Sequence, residues 1–497
     1  MNFARDVVAA RDPHDRALVE LRRDGGRREW SFAEVDAASG ALAGHLAARG
    51  VRRGDVVMTL VGNRPEWVLA MAACFRIGAV ALPCNEQLRA KDLRLRLDVT
   101  APKLVVVDER NRAELEAALV GPSPSPGSSL GTETGPARDP EILVVPDNAL
   151  LVGDAPPFAE LDPEDPCLLT FTSGTEGDPK AVVHVQRYLD GQRLQAKNWL
   201  DARPGDLVWC TAASGWSKSA RNVFVAPWLQ GATALLHDQR FDPAERLRIL
   251  ADEQVDVLCM APTEYRVIAK RTEIGRYPAL RGLVAAGEAL NPEVLDVWRA
   301  ATGIEIRDGF GQTETGQLTG APLGEPVRAG SMGRPLPGVR LWIDDGELVV
   351  DPASVPTFFR GYLGHDPAPR DQPWRTGDRV REEDGWFFFE GRTDDVISSA
   401  GYRIGPFEVE SALVAHPAVA EAAVVAAPDE ERGQIVRAVI VLRDGVTADD
   451  ELIGTLQEHV KSTTAPYKYP RRIDIVDELP KTTSGKIQRA LLRRDAP

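Results

Sequence analysis

A short segment rich in glycine and hydroxyl groups offers a clear phosphate-binding pattern. It reads LTFTSGTEGDPK over residues 169–180, so an apolar run leads directly into threonine, serine and glycine and ends in a lysine. Glycines let the backbone approach a phosphate closely, while hydroxyls and successive backbone N–H groups donate hydrogen bonds around it. The segment is not a Walker loop, because a proline precedes Lys180 and no Ser or Thr follows it. Taken alone, it predicts either a phosphate-binding loop or a polar surface turn.

Short β-branched segments that alternate with longer helical patterns must position this loop. One of the helical patterns is 65–78, where Pro65 suits the first turn and Trp67, Met71 and Phe75 share one face. The alternation predicts a layered α/β architecture with largely parallel sheets. The predicted buried strands are 103–108, 167–173, 206–212, 232–238, 255–262 and 282–288.

The length of the chain and a change of pattern near residue 390 predict two domains. The 497 residues exceed what one compact core normally holds. After about residue 390 a helix and three short strands follow, a pattern typical of a small α+β unit that folds independently. We therefore predict a large layered α/β N-terminal domain over residues 1–392 and a small, mobile α+β C-terminal domain over residues 393–497.

The composition excludes several classes of partner. The formal net charge of −15 argues against nucleic acid or an anionic membrane as the main partner, although a local basic pocket for a phosphorylated ligand remains compatible with it. The five cysteines are widely spaced and form no CxxC pattern, which favours neither a disulfide framework nor a zinc site. The N-terminus lacks the apolar core of a signal peptide, and no apolar run near it approaches the roughly 18 residues of a membrane span. These features predict a cytoplasmic protein.

Five motifs occur in the order found in one large enzyme family. They are TSGTEGDPK, DGFGQTE, RTGD, GRTDDVISSAGYRIGP and PKTTSGK, which begin at residues 172, 308, 375, 391 and 480. In this order the chain resembles the adenylate-forming, AMP-binding superfamily, and its tail looks like that of the medium-chain acyl-CoA synthetases. The resemblance implies a two-step reaction, in which ATP converts a carboxylate into an acyl-adenylate and the thiol of CoA then displaces AMP. ATP, Mg²⁺ and CoA are the implied cofactors.

The resemblance assigns the ATP site to residues spread along the chain. Thr172 to Lys180 are expected to hold the β- and γ-phosphates, Thr313 to hydrogen-bond the α-phosphate, and Asp378 to accept both ribose hydroxyls through its two oxygens. The whole set is Thr172, Ser173, Gly174, Thr175, Glu176, Gly177, Asp178, Pro179, Lys180, Gly287, Glu288, Asp308, Gly309, Phe310, Gly311, Gln312, Thr313, Asp378, Arg392 and Lys486.

Catalysis is assigned to Lys486, Thr172 and Glu314. The resemblance makes Lys486 the lysine that bridges the acyl carboxylate and the α-phosphate, a role that suits a compact ammonium group. Glu314 is the expected Mg²⁺ ligand, because a hard dication prefers carboxylate and phosphate oxygens. Asp394 matches the family's hinge, where a rotation of the small domain would remove Lys486 and bring Gly401 and Tyr402 to the site.

The expected CoA site lies on the C-terminal domain. The loop 400–402 is expected to line the pantetheine channel, and basic residues are expected to meet the CoA nucleotide, although surface arginines and lysines are more often solvated. The predicted set is Ala400, Gly401, Tyr402, Arg432, Lys461, Tyr469, Pro470 and Arg471.

The acid is predicted from a single exchange in the motif. Acetyl-specific members of the family have a tryptophan where this chain has Gly311, and a glycine there is expected to leave the pocket floor open. Each buried methylene adds roughly 0.8 kcal/mol, so we predict a medium-chain, branched or aromatic acid. Trp216, Gly311, Thr313 and Arg403 are the predicted substrate-binding residues.

Two charged residues near Trp216 leave a second class of acid open. Lys218 and Arg221 lie at helical spacing, and a polar or dicarboxylic acid becomes plausible if both face the pocket. His184, just after the phosphate loop, is interpreted as a packed histidine, because a carboxylate already ionised at neutral pH needs no general base.

Alternative functions are a short-chain acyl-CoA synthetase, an adenylating enzyme that loads a carrier protein, and a catalytically silent nucleotide-binding protein. The absence of an attached carrier domain disfavours the second, and the presence of Glu314 and Lys486 disfavours the third. A lysine-acylating enzyme that modifies Lys486 and a second copy of the chain are candidate partners.

Overall fold

The structure is a computed structural model. It describes residues 1–120, 139–172, 179–287, 290, 292–393, 395, 397–399, 402–429, 432–464, 466–482 and 486–494.

The first of two large sheets has seven strands and is parallel except at one edge. Strand β2 pairs antiparallel with β1, and all other neighbouring strands are parallel. In spatial order the strands are β13 (Ile306–Gly309), β12 (Gly282–Ala286), β11 (Val257–Met260), β9 (Leu207–Cys210), β10 (Thr233–His237), β1 (Arg16–Leu21) and β2 (Arg27–Ser31).

The second large sheet also has seven strands, of which five form a parallel block. Strand β8 is antiparallel to both of its neighbours, which makes a hairpin with β7 around the predicted phosphate loop. In spatial order the strands are β20 (Gly361–Tyr362), β8 (Ala181–Val185), β7 (Pro166–Phe171), β4 (Val80–Pro83), β3 (Val56–Leu60), β5 (Leu104–Asp108) and β6 (Glu141–Val145).

Helices cover both faces of these sheets. Successive side chains of a strand point to opposite faces, and on β9 Leu207 and Trp209 enter one core while Val208 and Cys210 enter the central core between the sheets. The helices are α1 (Phe32–Ala48), α2 (Pro65–Ile77), α3 (Ala90–Thr100), α4 (Arg112–Val120), α5 (Gln186–Gln195), α6 (Ala226–Gln230), α7 (Pro243–Asp252), α8 (Pro262–Arg271) and α9 (Pro292–Thr302).

The central core holds helices α1, α2, α5 and α6 between the two sheets. Its aromatic contacts are mostly edge-to-face; the rings of Trp67 and Phe224, for example, are 5.7 Å apart at 88°. Helices α7 to α9 pack on the outer face of the first sheet, and α3 and α4 pack on the outer face of the second. The N-terminal part therefore has five alternating layers of helices and sheets.

A smaller set of strands follows the second large sheet. A four-stranded antiparallel sheet carries the predicted ribose residue on β21. The strands of this sheet and of the adjoining hairpins are β14 (Gly311–Gln312), β15 (Gly316–Gln317), β16 (Thr319–Gly320), β17 (Arg334–Pro335), β18 (Leu341–Asp344), β19 (Glu347–Val350), β21 (Trp374–Glu383) and β22 (Trp386–Arg392).

The C-terminal part is a small α+β unit with its own core. Leu413, Val424, Ile440 and Leu456 are all buried within it. Its elements are β23 (Ile397–Ser399), β24 (Tyr402–Ile404), α10 (Pro406–Ala415), β25 (Val419–Asp429), β26 (Gly433–Leu442), α11 (Asp450–Thr463), β27 (Arg472–Ile475) and α12 (Arg489–Arg494).

The predicted fold class is confirmed, and each predicted strand and the predicted helix correspond to an element of the structure. The domain boundary at 392/393 stays a prediction. In the described residues, no helix is both long enough and apolar enough to cross a membrane.

Candidate active site

Two of the predicted nucleotide-binding segments, which begin at Gly287 and Asp308, lie at one edge of the first large sheet. Ala286 ends β12 and Gly309 ends β13, and these parallel neighbours leave the sheet side by side. The carboxyl ends of parallel strands are where α/β proteins commonly bind ligands, because the loops that follow diverge and leave a crevice. Gly287, the next residue after β12, has a φ of +103°, a value that a glycine adopts without strain.

The two ends of the predicted phosphate loop are held together. Strands β7 and β8 pair up to Phe171 and Ala181, and beyond them the backbone N–H of Thr172 donates to the Lys180 carbonyl at 2.9 Å. The backbone N–H of Lys180 in turn donates to Thr172 Oγ1 at 3.0 Å. The six residues between Thr172 and Pro179 lie outside the described residues; they are Ser173, Gly174, Thr175, Glu176, Gly177 and Asp178.

Tyr362 joins the end of this loop to the predicted metal ligand. Its hydroxyl donates to Glu314 Oε1 at 2.9 Å, and Lys180 Nζ lies 5.1 Å from the centre of its ring. Burial and the neighbouring Glu314 carboxylate raise the pKa of Tyr362, so its hydroxyl stays protonated and available as a donor. Tyr362 therefore fixes one carboxylate oxygen of Glu314 while it supports the lysine of the phosphate loop.

The residues from Asp308 to Gln312 form the turn that leads away from β13. Asp308 is buried, and its Oδ1 accepts the backbone N–H of Gly309 at 2.8 Å. Phe310 packs against the central core, and the side chain of Gln312 hydrogen-bonds to Asp378. Gly311 pairs with Gln317 in the short hairpin of β14 and β15.

The structure corrects the sequence-based reason for a glycine at 311. A Cβ on Gly311 would lie 1.9 Å from the carbonyl oxygen of Gly316 and 2.9 Å from the Cα of Gln317. The space beside Gly311 is therefore filled by backbone of the facing strand, and it is not an open pocket floor. The close approach of the two strands requires the glycine here, so Gly311 by itself does not indicate the length of the acid.

Asp378 lies at the centre of a buried polar cluster. Gln312 Nε2 donates to its Oδ2 at 2.7 Å, and Arg392 Nη1 donates to its Oδ1 at 3.2 Å. Burial raises the pKa of Asp378 to about 6, and this effect outweighs the opposing influence of Arg392, Gln312 and Lys486. The carboxylate is thus poised to change charge close to neutral pH.

Lys486 reaches this cluster from the far end of the chain. Its backbone N–H donates to Thr482 Oγ1 at 3.1 Å, and its carbonyl accepts from the N–H of Thr482 at 2.8 Å, which closes a tight loop. The positive charge of Lys486 is one of the influences that lower the pKa of Asp378. The structure therefore joins Gln312, Asp378 and Arg392 by hydrogen bonds and places Lys486 near enough for its charge to act on Asp378.

Three of the residues predicted to bind CoA form one group. Lys461 Nζ lies 4.3 Å from the centre of the Tyr469 ring, and the guanidinium carbon of Arg471 lies 4.7 Å from it. Arg471 also donates to the Tyr469 hydroxyl at 2.6 Å, and the Pro470 carbonyl accepts from Gln457 at 2.9 Å. Lys461 also pairs with Glu458 at 2.5 Å, so Arg471 is the cation of this group that is better able to meet a phosphate.

Other predicted residues are either separate from this group or not described. Arg432 follows β25, where its backbone N–H donates to Asp429 Oδ1 at 2.9 Å. Glu288, Asp394, Ala400 and Gly401 lie outside the described residues. Tyr402 and Arg403 are described only through the backbone of β24, which pairs with β23.

A narrow pocket lies where β9, β11 and β12 end. Trp216 lines it, as predicted for the acyl pocket, and Lys218 lines it as well. Arg221 is buried behind this wall, with 5% of its surface exposed, and is not among the lining residues. The space between its lining atoms is about 260 Å³, a figure that includes open solvent at the mouth, and no position in it is wide enough for a water molecule. An acid must therefore widen it on binding.

Two residues that support the site, Tyr362 and Trp374, were not predicted from the sequence. Tyr362 and Trp374, whose Nε1 donates to Gln312 Oε1 at 3.2 Å, both support motif residues. Their only local signal is an aromatic residue near the RTGD motif. His184 is packed as expected: its ring stacks on Tyr188 at 3.9 Å, and burial lowers its pKa to about 3.

The family of the chain follows from two matches. The family model described as AMP-binding enzyme matches residues 6–363, and the model described as AMP-binding enzyme C-terminal domain matches residues 408–486. The first match covers well over half of the chain, and both agree with the order of the motifs. The chain belongs to the AMP-binding enzyme family.

Individual relatives narrow the class. The uncharacterized acyl-CoA ligase YtcI of Bacillus subtilis is 40% identical, over 96% of this chain and 92% of its own length. The mitochondrial acyl-coenzyme A synthetase ACSM3 of Homo sapiens is 35% identical, over 99% of this chain and 89% of its own. A crystal structure of the anthranilate CoA ligase AuaEII in complex with anthranoyl-AMP matches with a TM-score of 0.85 at 27% identity, over 99% of this chain and 97% of that chain. The predicted family and the predicted enzyme class, an AMP-forming acid–thiol ligase, are confirmed.

Proposed function

We propose that this protein is an ATP-dependent acyl-CoA synthetase that converts a carboxylic acid into its acyl-adenylate and then into its CoA thioester. The observation that carries the proposal is the cluster of Gln312, Asp378 and Arg392, which receives the charge of Lys486 from the C-terminal unit. This cluster offers a carboxylate to a ribose and cations to a phosphate in one place. Adenylate formation needs that combination, because negative charge collects around the α-phosphate during attack by the carboxylate.

The first step divides between the two halves of the site. We assign the ribose to Asp378, whose two oxygens accept hydrogen bonds, and the β- and γ-phosphates to the loop that Thr172 and Lys180 close. We assign the bridge between acyl oxygen and α-phosphate to Lys486, whose ammonium stabilises the charge that develops there. Pyrophosphate leaves in this step, and the acyl-adenylate remains.

The residues present fit a magnesium ion that is shared with the nucleotide. Among the described residues, no group of three or more His, Cys, Asp or Glu side chains forms a metal site of protein ligands alone. Mg²⁺ commonly binds one or two carboxylates together with substrate phosphates, and Glu314 supplies one carboxylate that Tyr362 holds in place. Mg²⁺ at this position would neutralise phosphate charge in the first step.

The second step requires a rearrangement of the C-terminal unit. We propose that rotation near Asp394 withdraws Lys486 and brings the segment around Gly401 and Tyr402 to the acyl-adenylate. CoA would then approach along the C-terminal unit, with Lys461 and Arg471 near its phosphates. Acylation of Lys486, a homodimer and a cytoplasmic location stay predictions.

We propose a medium-chain, branched or aromatic carboxylic acid as the substrate. The named relatives include the acyl-coenzyme A synthetase ACSM3, and the AuaEII structure holds an aromatic acyl-adenylate. The apolar part of the pocket, with Trp216, Ala212 and Met260, offers the contacts that such an acyl group needs.

A panel of acids tests this function. We expect acids of six to ten carbons, branched acids or benzoate to support CoA-dependent AMP formation about tenfold or more better than acetate, because each added buried methylene contributes roughly 0.8 kcal/mol. The measurement is AMP release at varied acid concentration, with CoA omitted in one series and replaced by a phosphopantetheinylated carrier protein in another. Acetate as the best substrate would contradict the proposed acid class, and AMP release with the carrier alone would contradict the CoA assignment.

Replacement of Tyr362 by phenylalanine tests how Glu314 is positioned. The hydroxyl lost in Tyr362→Phe donates to a carboxylate, a bond that contributes about 1.5–3 kcal/mol. We therefore expect about a tenfold rise in the Mg²⁺ concentration that gives half-maximal adenylation, with little change in the KM of the acid. Tyr277→Phe removes a hydroxyl from a ring that packs against the outer core of the first sheet, and it serves as the matched control. A Mg²⁺ dependence equal to that of the unchanged enzyme would contradict this role.

A further inference from the structure

The wall of the acyl pocket contains more polar groups than a hydrocarbon chain can use. Besides Trp216 and Cys259, the lining includes Lys218, Asn222 and Glu264. A pocket for a purely apolar acyl group normally has few polar side chains, because each one that faces a hydrocarbon forgoes its hydrogen bonds to water. The hydrogen-bond partners of these polar groups in the protein therefore indicate what the pocket binds.

Asn222 has an unused hydrogen-bonding atom in this wall. Its side chain is fully buried, and one end of the amide pairs with Gln195 at 2.9 Å. The Nδ2 at the other end has no hydrogen-bond partner. Exchange of nitrogen and oxygen in both amides would keep the pair and still leave one polar atom of Asn222 without a partner. A buried polar group without a partner costs about 1–3 kcal/mol, so a ligand that supplies one is favoured by a comparable amount.

Lys218 brings further donors to the same space. Its Nζ donates to the Ala286 carbonyl at 3.0 Å and lies 5.9 Å from the centre of the Trp216 ring. An ammonium group has three N–H donors, so this single bond leaves capacity for a ligand. Trp216 Nε1 is also buried and has no hydrogen-bond partner.

The balance of charge around the pocket favours an electronegative group. Glu264 is already engaged, because Thr211 and Arg246 both donate to its carboxylate. The carboxylate of Glu264 forms its ion pair with Arg246, and in the described part of the chain neither Lys218 nor Arg221 pairs with a carboxylate. The uncompensated charge in and behind this wall is therefore positive.

We propose that the preferred acid carries an oxygen substituent on its acyl part, which accepts hydrogen bonds from Lys218 and Asn222. A hydroxyl, a carbonyl or a second carboxylate each provides such an oxygen, and this acceptor is their shared chemistry. The inference rests on the proposed acyl-CoA synthetase function and narrows its substrate class. A site whose buried donors await a substrate oxygen discriminates strongly against the analogue that lacks it, because the donors then stay unpaired.

Matched pairs of acids test the inference. Hexanoate is compared with hydroxy- and oxohexanoates and with adipate, and benzoate with the hydroxybenzoates, by acid-dependent AMP release in the presence of CoA. We expect at least one oxygenated acid to exceed its hydrocarbon partner about tenfold or more in kcat/KM. Hydrocarbon acids that equal or exceed every oxygenated partner would overturn the inference and leave the proposed function intact. No AMP release with any acid would instead contradict the proposed function.

Two variants identify the groups involved. Asn222→Leu replaces the amide by an apolar group of similar size and should lower the ratio of oxygenated to hydrocarbon acid about tenfold. Lys218→Met should lower kcat/KM for a dicarboxylate more than for a neutral hydroxy or oxo acid, which separates the two sources of the oxygen. Asn198→Leu, which removes an amide that donates to the Leu194 carbonyl outside the pocket, is the control and should keep the ratio. If both pocket variants keep the ratio of kcat/KM for oxygenated and hydrocarbon acids, the inference is overturned. If a variant does not fold, the same ratio measured with the unchanged enzyme decides.

Discussion

Replacement of Lys486 by alanine is expected to slow acyl-adenylate formation about 10²–10³-fold and to spare the transfer of a supplied acyl-adenylate to CoA. The amine acts where charge develops, and removal of one such group from a preorganised site typically costs that much. Its charge lowers the pKa of Asp378 in this structure, which supports the proposed role in the first step. The two half-reactions are measured separately, by acid-dependent exchange of pyrophosphate into ATP and by thioester formation from a synthetic acyl-adenylate.

A second lysine of the same segment provides the control. Lys481 lies five positions before Lys486 and pairs with Glu421 at 2.5 Å on the surface of the C-terminal unit. Lys481→Ala removes an equal charge without reaching the cluster, so both half-reactions should keep their rates. Equal losses of both half-reactions in Lys486→Ala would refute the division of labour between the two steps.

Replacement of Asp378 by asparagine is expected to lower kcat/KM for ATP about 10²-fold or more. A carboxylate that accepts two ribose hydroxyls makes two charge-assisted hydrogen bonds, each of which contributes about 1.5–3 kcal/mol. The amide can accept at only one of its two ends. The measurement is adenylation at varied ATP, and Asp384→Asn, which alters an exposed carboxylate that pairs with Arg328, is the control.

The pH dependence of the unchanged enzyme provides an independent view of Asp378. Because its pKa is raised to about 6, the carboxylate that we propose binds ribose is progressively protonated below that pH. The KM for ATP should therefore be flat above about pH 7 and rise toward about tenfold per pH unit well below pH 6. Asp378→Asn should lose this rise, which separates the titration of Asp378 from that of ATP itself. A rise of equal steepness in the variant would contradict the assignment.

The same raised pKa means that ionised Asp378 lowers the stability of the folded protein above about pH 6. The folded state binds the proton of Asp378 more tightly than an ordinary aspartate does, whose pKa is 3.8. The contribution of this group to stability is therefore complete below pH 3.8 and is lost as the pH rises through about 6. The difference of about two pKa units corresponds to about 3 kcal/mol at pH 7.5. The thermal midpoint of Asp378→Asn without ATP should therefore not fall at pH 7.5, although nucleotide binding is weakened. The proposed ribose binding requires the ionised carboxylate at this position, whereas the folded protein is more stable with the protonated one.

The sequence predicts elements well where the signal is local. The buried strand at 104–108 follows from its β-branched run, and the ordered motifs identify the family. Contacts between distant elements carry no such signal. Tyr362 reaches Glu314 because β20 pairs with β8, which sets Tyr362 opposite Val182. The residue types of Tyr362 and Val182 do not indicate that these two strands pair.

The sequence-based interpretations of Gly311 and of the pair Lys218 and Arg221 differ from the structure because both depend on contacts between distant parts of the chain. Gly311 was expected to open a pocket, yet the backbone of Gly316 in the facing strand fills the space. Lys218 and Arg221 are three positions apart, which would place them on one face of a regular helix. A π-helical turn over Arg221–Val225 follows Lys218, and only Lys218 lines the pocket. Local spacing could not distinguish these arrangements.

The last described helix bears on the proposed movement of Lys486. In α12, Arg489 donates to Glu410 at 2.7 Å, and both Arg489 and Arg493 pair with Asp395, one residue from the proposed hinge. The Leu492 carbonyl also accepts from Arg437 of β26 at 2.7 Å. The helix that follows Lys486 is thus held next to the proposed hinge. If the C-terminal unit rotates as proposed, the distance from Lys486 to the hinge stays constant, so the angle of rotation alone would decide whether the ammonium group meets the nucleotide. Truncation before residue 489 would then remove this coupling.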